Sequence, residues 1–371
     1  MFLIDYILPF LAVLTVLVFI HEMGHYLVAR WCGVGVEAFS VGFGRELFGW
    51  YDRRGTRWKV SMIPFGGYVK FRGDSGAAST PDHAGNVQDD DPENFHNKPL
   101  AKRAAVVVAG PLANFLLAIV IFAGMFTVWG QPFTTAMVSD VVADSAAAEA
   151  GLQPGDLIVE AGGEDVVSFE DLRRIVSLNL DRPLPLTVER DGTLIDLDAQ
   201  PRVVVIQDQF GNDSKVGMLG VRAVERGWRE LGVGSALVEA VRQTWVITSS
   251  TLSAVGDMIT GHRSVEELRG PAGIAEISGQ AASFGIASLI NIAAFLSISL
   301  GLINLFPIPM LDGGHLLFYA VEAVRGRPLG ETTQEIGYRL GFAMVIGLML
   351  VATFNDIDRF GVVDFMKGLF S

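Results

Sequence analysis

An apolar run from about Ile7 to Ala29 is interrupted near its end by His21-Glu22-Met23-Gly24-His25. At 1.5 Å per helical residue the run is long enough to cross a bilayer. Two imidazoles at i and i+4 stand one above the other on a single helical face, the spacing that one metal ion needs, and Glu22 between them can act on a metal-bound water. On a soluble helix so short a pattern can arise by chance. Among Leu, Val, Ile and Phe, three ionisable groups cost several kcal/mol unless they have partners or a wet cavity. The run therefore predicts a hydrolytic metal site inside a membrane.

Half of the 371 residues are hydrophobic, and a mean hydropathy of +0.40 is too high for an ordinary soluble protein. The chain reads as a polytopic α-helical membrane protein. Cys32 is the only cysteine, which excludes an intramolecular disulfide and a thiolate cage for a metal. The first apolar run is too long for a cleavable signal, and its removal would take the metal pattern with it. A formal charge of −13 argues against nucleic acid as a partner.

Four stretches can span: about Ile7 to Ala29, Ala104 to Trp129, Ile286 to Phe306 with a broken continuation to Val324, and Gly337 to Phe354. Lys and Arg crowd the interval from Arg30 to Arg103, which the positive-inside rule places in the cytoplasm, with the N-terminus outside. Acidic residues outnumber basic ones about two to one between the second and third spans, so that segment belongs on the far side. Ser235 to Thr260 raises a fifth span, but Glu239, Arg242 and Asp257 favour an interfacial amphipathic helix within an extramembrane linker, residues 206–285. A spanning helix there would also put Asp312 on the opposite face from His21 and His25. The membrane core is thus expected in two halves, residues 1–130 and 286–371.

Between Val34 and Arg72 the periodicity turns from helical to extended, broken by Gly42, Gly44, Gly55, Pro64 and Gly66-Gly67. Short membrane-associated β-hairpins are predicted there. Ser75 to Asn97 reads as a polar, solvated linker.

Two histidines leave a zinc site incomplete, because catalytic zinc usually has three protein ligands and a water. Asn304-Leu305-Phe306-Pro307-Ile308-Pro309-Met310-Leu311-Asp312-Gly313-Gly314-His315 interrupts a membrane helix with two prolines and then supplies an acid. Irregular backbone at that depth must be buried in protein or line a cavity. Asp312 is the expected third ligand, against the plainer reading that it caps a helix resumed at Gly313. Asn114, in Gly110-Pro111-Leu112-Ala113-Asn114, reaches a similar depth from the second span.

These three patterns resemble the site-2 protease family of intramembrane zinc metalloproteases, and within it the bacterial branch of the regulator of sigma-E protease. The likeness covers nearly the whole chain. It implies one Zn²⁺ per chain held by His21, His25 and Asp312, with Glu22 as catalytic base, and a membrane-associated hairpin ending in Gly66-Gly67-Tyr68. It further implies a single-span membrane protein as substrate, such as an anti-sigma factor already shortened on its outer side. The setting it implies is a bacterial inner membrane.

Gly151-Leu152-Gln153-Pro154-Gly155-Asp156 reads as a turn, and Ser168-Phe169-Glu170-Asp171 as a helix start with capping-box spacing. Asp191-Gly192 reads as a hairpin turn. Their order resembles an inserted α+β PDZ domain, about Thr134 to Val205, able to bind a peptide C-terminus on the periplasmic side, or else a spacer with an unused groove. Close relatives of the sigma-E protease often carry two such domains, and this chain has room for one. Asn304 and Asn114 can each donate to a developing oxyanion or satisfy broken helix backbone. The hairpins can offer strand edges to an unwound substrate or only brace the first span. A non-catalytic metal carrier or PDZ scaffold is the competing class; the first would show internal repeats, and the second would not need Glu22.

Overall fold

The protein is seen here as a computed structural model that describes residues 3–74, 91–179, 182–207, 213–223, 226–261 and 264–359. Most of the expected polar linker, residues 75–90, lies outside the described residues. A π-helical turn (Leu3–Ile7) runs into α1 (Leu8–Trp31), followed by β1 (Val36–Tyr51), β2 (Arg57–Phe71) and α2 (Leu100–Val128). The middle of the chain holds β3 (Gln131–Thr134), β4 (Asp140–Val141), α3 (Ala146–Glu149), β5 (Leu157–Ala161), β6 (Glu164–Asp165) and α4 (Phe169–Leu178). After these come β7 (Leu184–Arg190), β8 (Thr193–Ala199), β9 (Arg202–Gln207), β10 (Asp213–Met218), β11 (Val221–Arg222) and β12 (Arg226–Arg229). The last part is helical: α5 (Val233–Ile259), α6 (Pro271–Ser283), α7 (Ile286–Leu305), α8 (Asp312–Arg325) and α9 (Glu331–Arg359).

Two compact units result, one from residues 1–124 with 237–371, the other from residues 125–236. Among the described residues four helices are long and apolar enough to cross a membrane: Ile4–Trp31, Leu100–Val128, Ile286–Leu305 and Thr332–Arg359. The protein is therefore a polytopic membrane protein. α5 is not among them, and its Leu237, Val238, Val241 and Trp245 are exposed beside Glu239 and Arg242.

In the first unit, residues 34–72 form one bent strand pair rather than several separate hairpins. Val36 to Val41 lie opposite Phe71 to Gly67 on one side and, from Ala38, opposite Arg57 to Val60 on the other, while Glu46 to Tyr51 pair with Ser61 to Arg57. The bend falls at Gly42 and Gly44, whose φ of 89° and 86° side chains rarely adopt. Segment 67–71 thus pairs with β1 along one side only and forms an edge of the sheet, where the Phe71 amide donates to Asp74 Oδ2 at 3.1 Å.

The pair is fastened to α1 through its far turn. Asp52 Oδ2 accepts from Tyr26 Oη at 3.0 Å and Trp58 Nε1 at 3.1 Å, and its Oδ1 accepts the Arg54 and Thr56 amides at 2.8 and 2.9 Å. Phe39 stacks on Trp58 with centroids 4.4 Å apart, and Tyr26 meets both rings edge-on. At the other end of the unit, Asp356 of α9 accepts the amides of Gly270 and Gly273 at 3.0 and 2.9 Å, so it caps α6, whose own N-cap Gly270 has no side chain to do so.

The second unit is an α+β fold around a four-stranded sheet in the order β6-β5-β7-β8. Ile158, Leu172, Leu184, Leu186 and Val188 form its buried centre. Ser168 and Asp171 close a reciprocal capping box on α4. Asp191 and Gly192, at φ 49° and 76°, make the two-residue turn between β7 and β8. Buried Asp156 accepts Arg190 Nε at 2.7 Å and Nη2 at 2.8 Å, and this arginine holds its carboxyl below the usual range.

Burial opposes ionisation of Asp52, yet the donors Trp58, Thr56, Arg54 and Tyr26 bring its pKa from 3.8 down to about 2. A group depressed on folding stabilises above its unfolded pKa and loses that contribution as pH falls through the folded one. The difference in melting temperature between the wild type and Asp52→Asn should therefore be constant above about pH 4 and shrink between about pH 4 and pH 2. Thermal melts in detergent across that window check it.

Candidate metal centre

α1 delivers His21 and His25 from adjacent turns, both 8% exposed. Gly24 lets α2 come close, since a Cβ there would overlap the Ala109 carbonyl oxygen; a Cβ at Gly110 of α2 would overlap the His25 ring itself. α7 ends at Leu305, and the chain then turns through Pro307 and Pro309 with Met310 at a φ of 97°, a costly conformation for a side-chain-bearing residue. α8 begins at Asp312. Its N-cap is Leu311, and no side-chain cap bond is made, so the Asp312 carboxylate is not spent on capping.

Instead it turns to the histidines. Asp312 Oδ2 lies 3.2 Å from His21 Nε2 and 3.5 Å from His25 Nε2, and the two Nε2 atoms are 3.2 Å apart. The identity of the other ring nitrogens' partners shows what these three atoms want. His25 Nδ1 donates to the Val106 carbonyl oxygen at 2.8 Å, which leaves a lone pair on Nε2. His21 Nδ1 is 3.2 Å from the amide nitrogen of Asn114, a fully buried residue whose Oδ1 has no partner among the described residues. A half-turn of that amide lets Oδ1 accept the Nδ1–H and satisfies both groups, again leaving the lone pair on Nε2. Asp312 Oδ2 is likewise buried without a donor.

Three acceptors, none with a proton to share, thus face one another in a buried place. Only a cation satisfies such a set. Ligands at zinc bond lengths of about 2.05 Å form tetrahedral edges of roughly 3.3 Å, and the observed triangle of 3.2, 3.2 and 3.5 Å matches one face of that tetrahedron. The donor set fits zinc.

Beside the triangle is a cavity of about 190 Å³ lined by Glu22, Gly67, Tyr68, Val69, Asn304 and Asp312, among others. A Cβ at Gly67 would touch the Glu22 methylene at 3.4 Å, so the edge of β2 lies directly along this side chain. Of the expected residues, His21, Glu22, His25, Asp312, Asn304, Gly67 and Tyr68 share the cavity wall. Asn114 stands behind His21, and Gly66, at φ 105°, packs against the Phe43 ring. His315 also lines the cavity, and sequence reasoning passed over it although it closes the Asp312 motif; its place one helical turn after a ligand was the available signal.

Histidines at i and i+4 with a carboxylate between them, a third ligand from a distant helix and an adjoining cavity define a hydrolytic metal centre within membrane-spanning helices. The sequence pattern of peptidase family M50 matches residues 9–348. The chain is 48% identical over 364 residues to a protein of Agrobacterium fabrum named "Putative zinc metalloprotease", covering 96% of this chain and 97% of that one. It is 41% identical over 387 residues to Metalloprotease MmpA of Caulobacter vibrioides, covering 97% of each. A third relative, from Rickettsia conorii and again named "Putative zinc metalloprotease", is 38% identical over 356 residues, 95% of this chain and 98% of that one. The chain belongs to peptidase family M50, and it is a zinc metalloprotease.

If Asn114 orients His21 by accepting its Nδ1–H, Asn114→Leu should weaken zinc binding about 10–100-fold, whereas Asn114→Asp, which keeps an acceptor, should stay near wild type. Competition with a chromogenic chelator in detergent measures both.

Proposed function

We propose that this protein hydrolyses a peptide bond in or near the transmembrane segment of a single-span membrane protein, in the bacterial inner membrane. The observation that carries the reading is a metal-type triangle and a carboxylate set beside a strand edge at the depth of the spans. His21, His25 and Asp312 hold the zinc, and Asn114 and Val106 fix the two rings. Zinc in this ligand set brings the pKa of a bound water towards neutrality and polarises a carbonyl.

Glu22 takes a proton from the attacking water as its oxygen bonds to the scissile carbonyl carbon, then gives that proton to the departing nitrogen as the carbon–nitrogen bond breaks. A helical peptide bond is covered and internally hydrogen-bonded, so the substrate must first unwind. The edge of β2 at Gly67 to Val69 supports this step, because it can take an extended segment as an added strand next to Glu22.

The preferred substrate is an anti-sigma factor or similar protein already shortened on its periplasmic side, which makes the reaction the second cut of regulated intramembrane proteolysis. The N-terminus and the 125–236 unit are then periplasmic, and the zinc lies towards the cytoplasmic side, as the basic interval from Arg30 to Arg103 supports. We read the 125–236 unit as a PDZ domain. A groove of about 790 Å³ between α4 and the chain from Val216 to Arg222 supports this; Arg174 and Arg222 at its sides are paired with Glu164 and Asp140, which leaves Arg173 to meet a peptide carboxylate.

One design tests chemistry and selection together: cleavage of a model single-span substrate, in full-length and shortened forms, by purified enzyme. Glu22→Gln should lose 10²–10⁴-fold or more in rate with zinc retained. Ser177→Trp, which fills the groove from α4, should leave the rate on a substrate without a free periplasmic end within about threefold and weaken only the selection of the shortened form. Near-normal cleavage by zinc-loaded Glu22→Gln would contradict the mechanism.

A further inference from the structure

The metal ligands and Glu22 account for four of the polar side chains on the cavity wall, and three remain: Tyr68, Asn304 and His315. Hydrolysis leaves a task for them. As water adds, negative charge develops on the former carbonyl oxygen, and a donor placed there ahead of time lowers the barrier. Tyr68 belongs to β2, with its ring stacked on Phe43 and beneath the Lys59 ammonium, and not to the segment that carries Asp312.

His315 is placed for the task. It sits one turn after Asp312 in the first turn of α8, yet it lies outside the group of atoms close enough to share one metal, which contains only His21, His25 and Asp312 among the described residues. Its Nδ1 is 3.5 Å from Tyr338 Oη on α9, and the two rings lie against each other with centroids 5.7 Å apart. The Tyr338 ring is held in turn by an edge contact with Phe318. With Tyr338 donating to Nδ1, the neutral imidazole carries its proton on Nε2, the ring edge left for the cavity. A histidine that only filled space would not need a hydroxyl partner on its far nitrogen.

We propose that His315 is a further catalytic residue, an Nε2–H donor to the scissile carbonyl oxygen as charge builds on it, with Tyr338 as the positioning residue that fixes its tautomer and angle. Asn304 and His315 flank the 306–311 loop that presents Asp312, so the polarising donors and the third ligand are carried by one loop and its two helix ends. No bond to His315 forms or breaks; it keeps its proton throughout.

This rests on the peptidase reading, and the test separates the two. Four proteins are compared on a model substrate that the wild type cleaves: wild type, His315→Leu, His315→Gln and Tyr338→Phe, each assayed for zinc content, kcat, KM, and affinity for a phosphinic peptide that mimics the tetrahedral state and for the cleavage product. His315→Leu is expected to keep its zinc and its product affinity, to lose about 10²–10³-fold in kcat with KM little changed, and to lose affinity for the phosphinic peptide by the same factor. His315→Gln, which keeps an N–H donor, should recover much of that loss, and Tyr338→Phe should show a smaller loss of the same kind. Unchanged kcat in zinc-loaded His315→Leu would overturn the proposal. So would equal losses for the phosphinic peptide and the product, or a loss of zinc in both His315 variants, since each marks a role in ground-state binding or in holding the metal. A wild type that cleaves nothing would instead defeat the peptidase reading itself.

Discussion

Everything in the membrane unit serves three lone pairs that repel one another. In a low-dielectric interior, two neutral imidazole nitrogens and a carboxylate oxygen at 3.2–3.5 Å cannot rest together unless positive charge lies between them. The fold keeps them there by satisfying every alternative. Val106 takes the outer proton of His25, the Asn114 amide once turned over can take that of His21, and Asp312, one position past the N-cap Leu311, makes no capping bond. Close packing at Gly24 and Gly110 removes the room in which the rings might turn away. The energy of zinc binding would therefore support the approach of α1 to the start of α8, and with it the strained turn at Met310.

The same arrangement explains why the β-sheet follows α1 so directly. Adjacent residues of an α-helix are turned about 100° from one another, so Glu22 leaves the face that His21 and His25 share and lies instead against Gly67 of β2. The sheet is tied at its opposite end to the last turns of α1 through Asp52, Tyr26 and Trp58. The carboxylate proposed as general base and the edge proposed to receive substrate thereby lie side by side.

Local pattern made much of this legible. The spacing of His21 and His25, the capping box of Ser168 and Asp171, the turn at Asp191-Gly192 and the four apolar spans each depend on residues a few positions apart, and each is seen close to its expected place. Depth counting from charged ends singled out Asp312 and Asn114, but depth says nothing about azimuth. It could not tell that Asn114 faces His21 while Asn304 faces the cavity. The bent strand pair was hidden because Gly42 and Gly44 look like ordinary hairpin turns until the second register with Arg57 to Val60 is seen. Asp156 and Arg190, 34 residues apart, and His315 with Tyr338 on another helix are pairs that no periodicity announces.

One cation would join α1 to the start of α8 nearly 300 residues later. Zinc affinity of intact protein and of Asp312→Ala, titrated in the same detergent against a chelator of known strength, tests it most directly. Wild type should hold one zinc tightly per chain, and Asp312→Ala should lose much of that affinity while still folded by circular dichroism. Zinc held as tightly by Asp312→Ala as by wild type would contradict it.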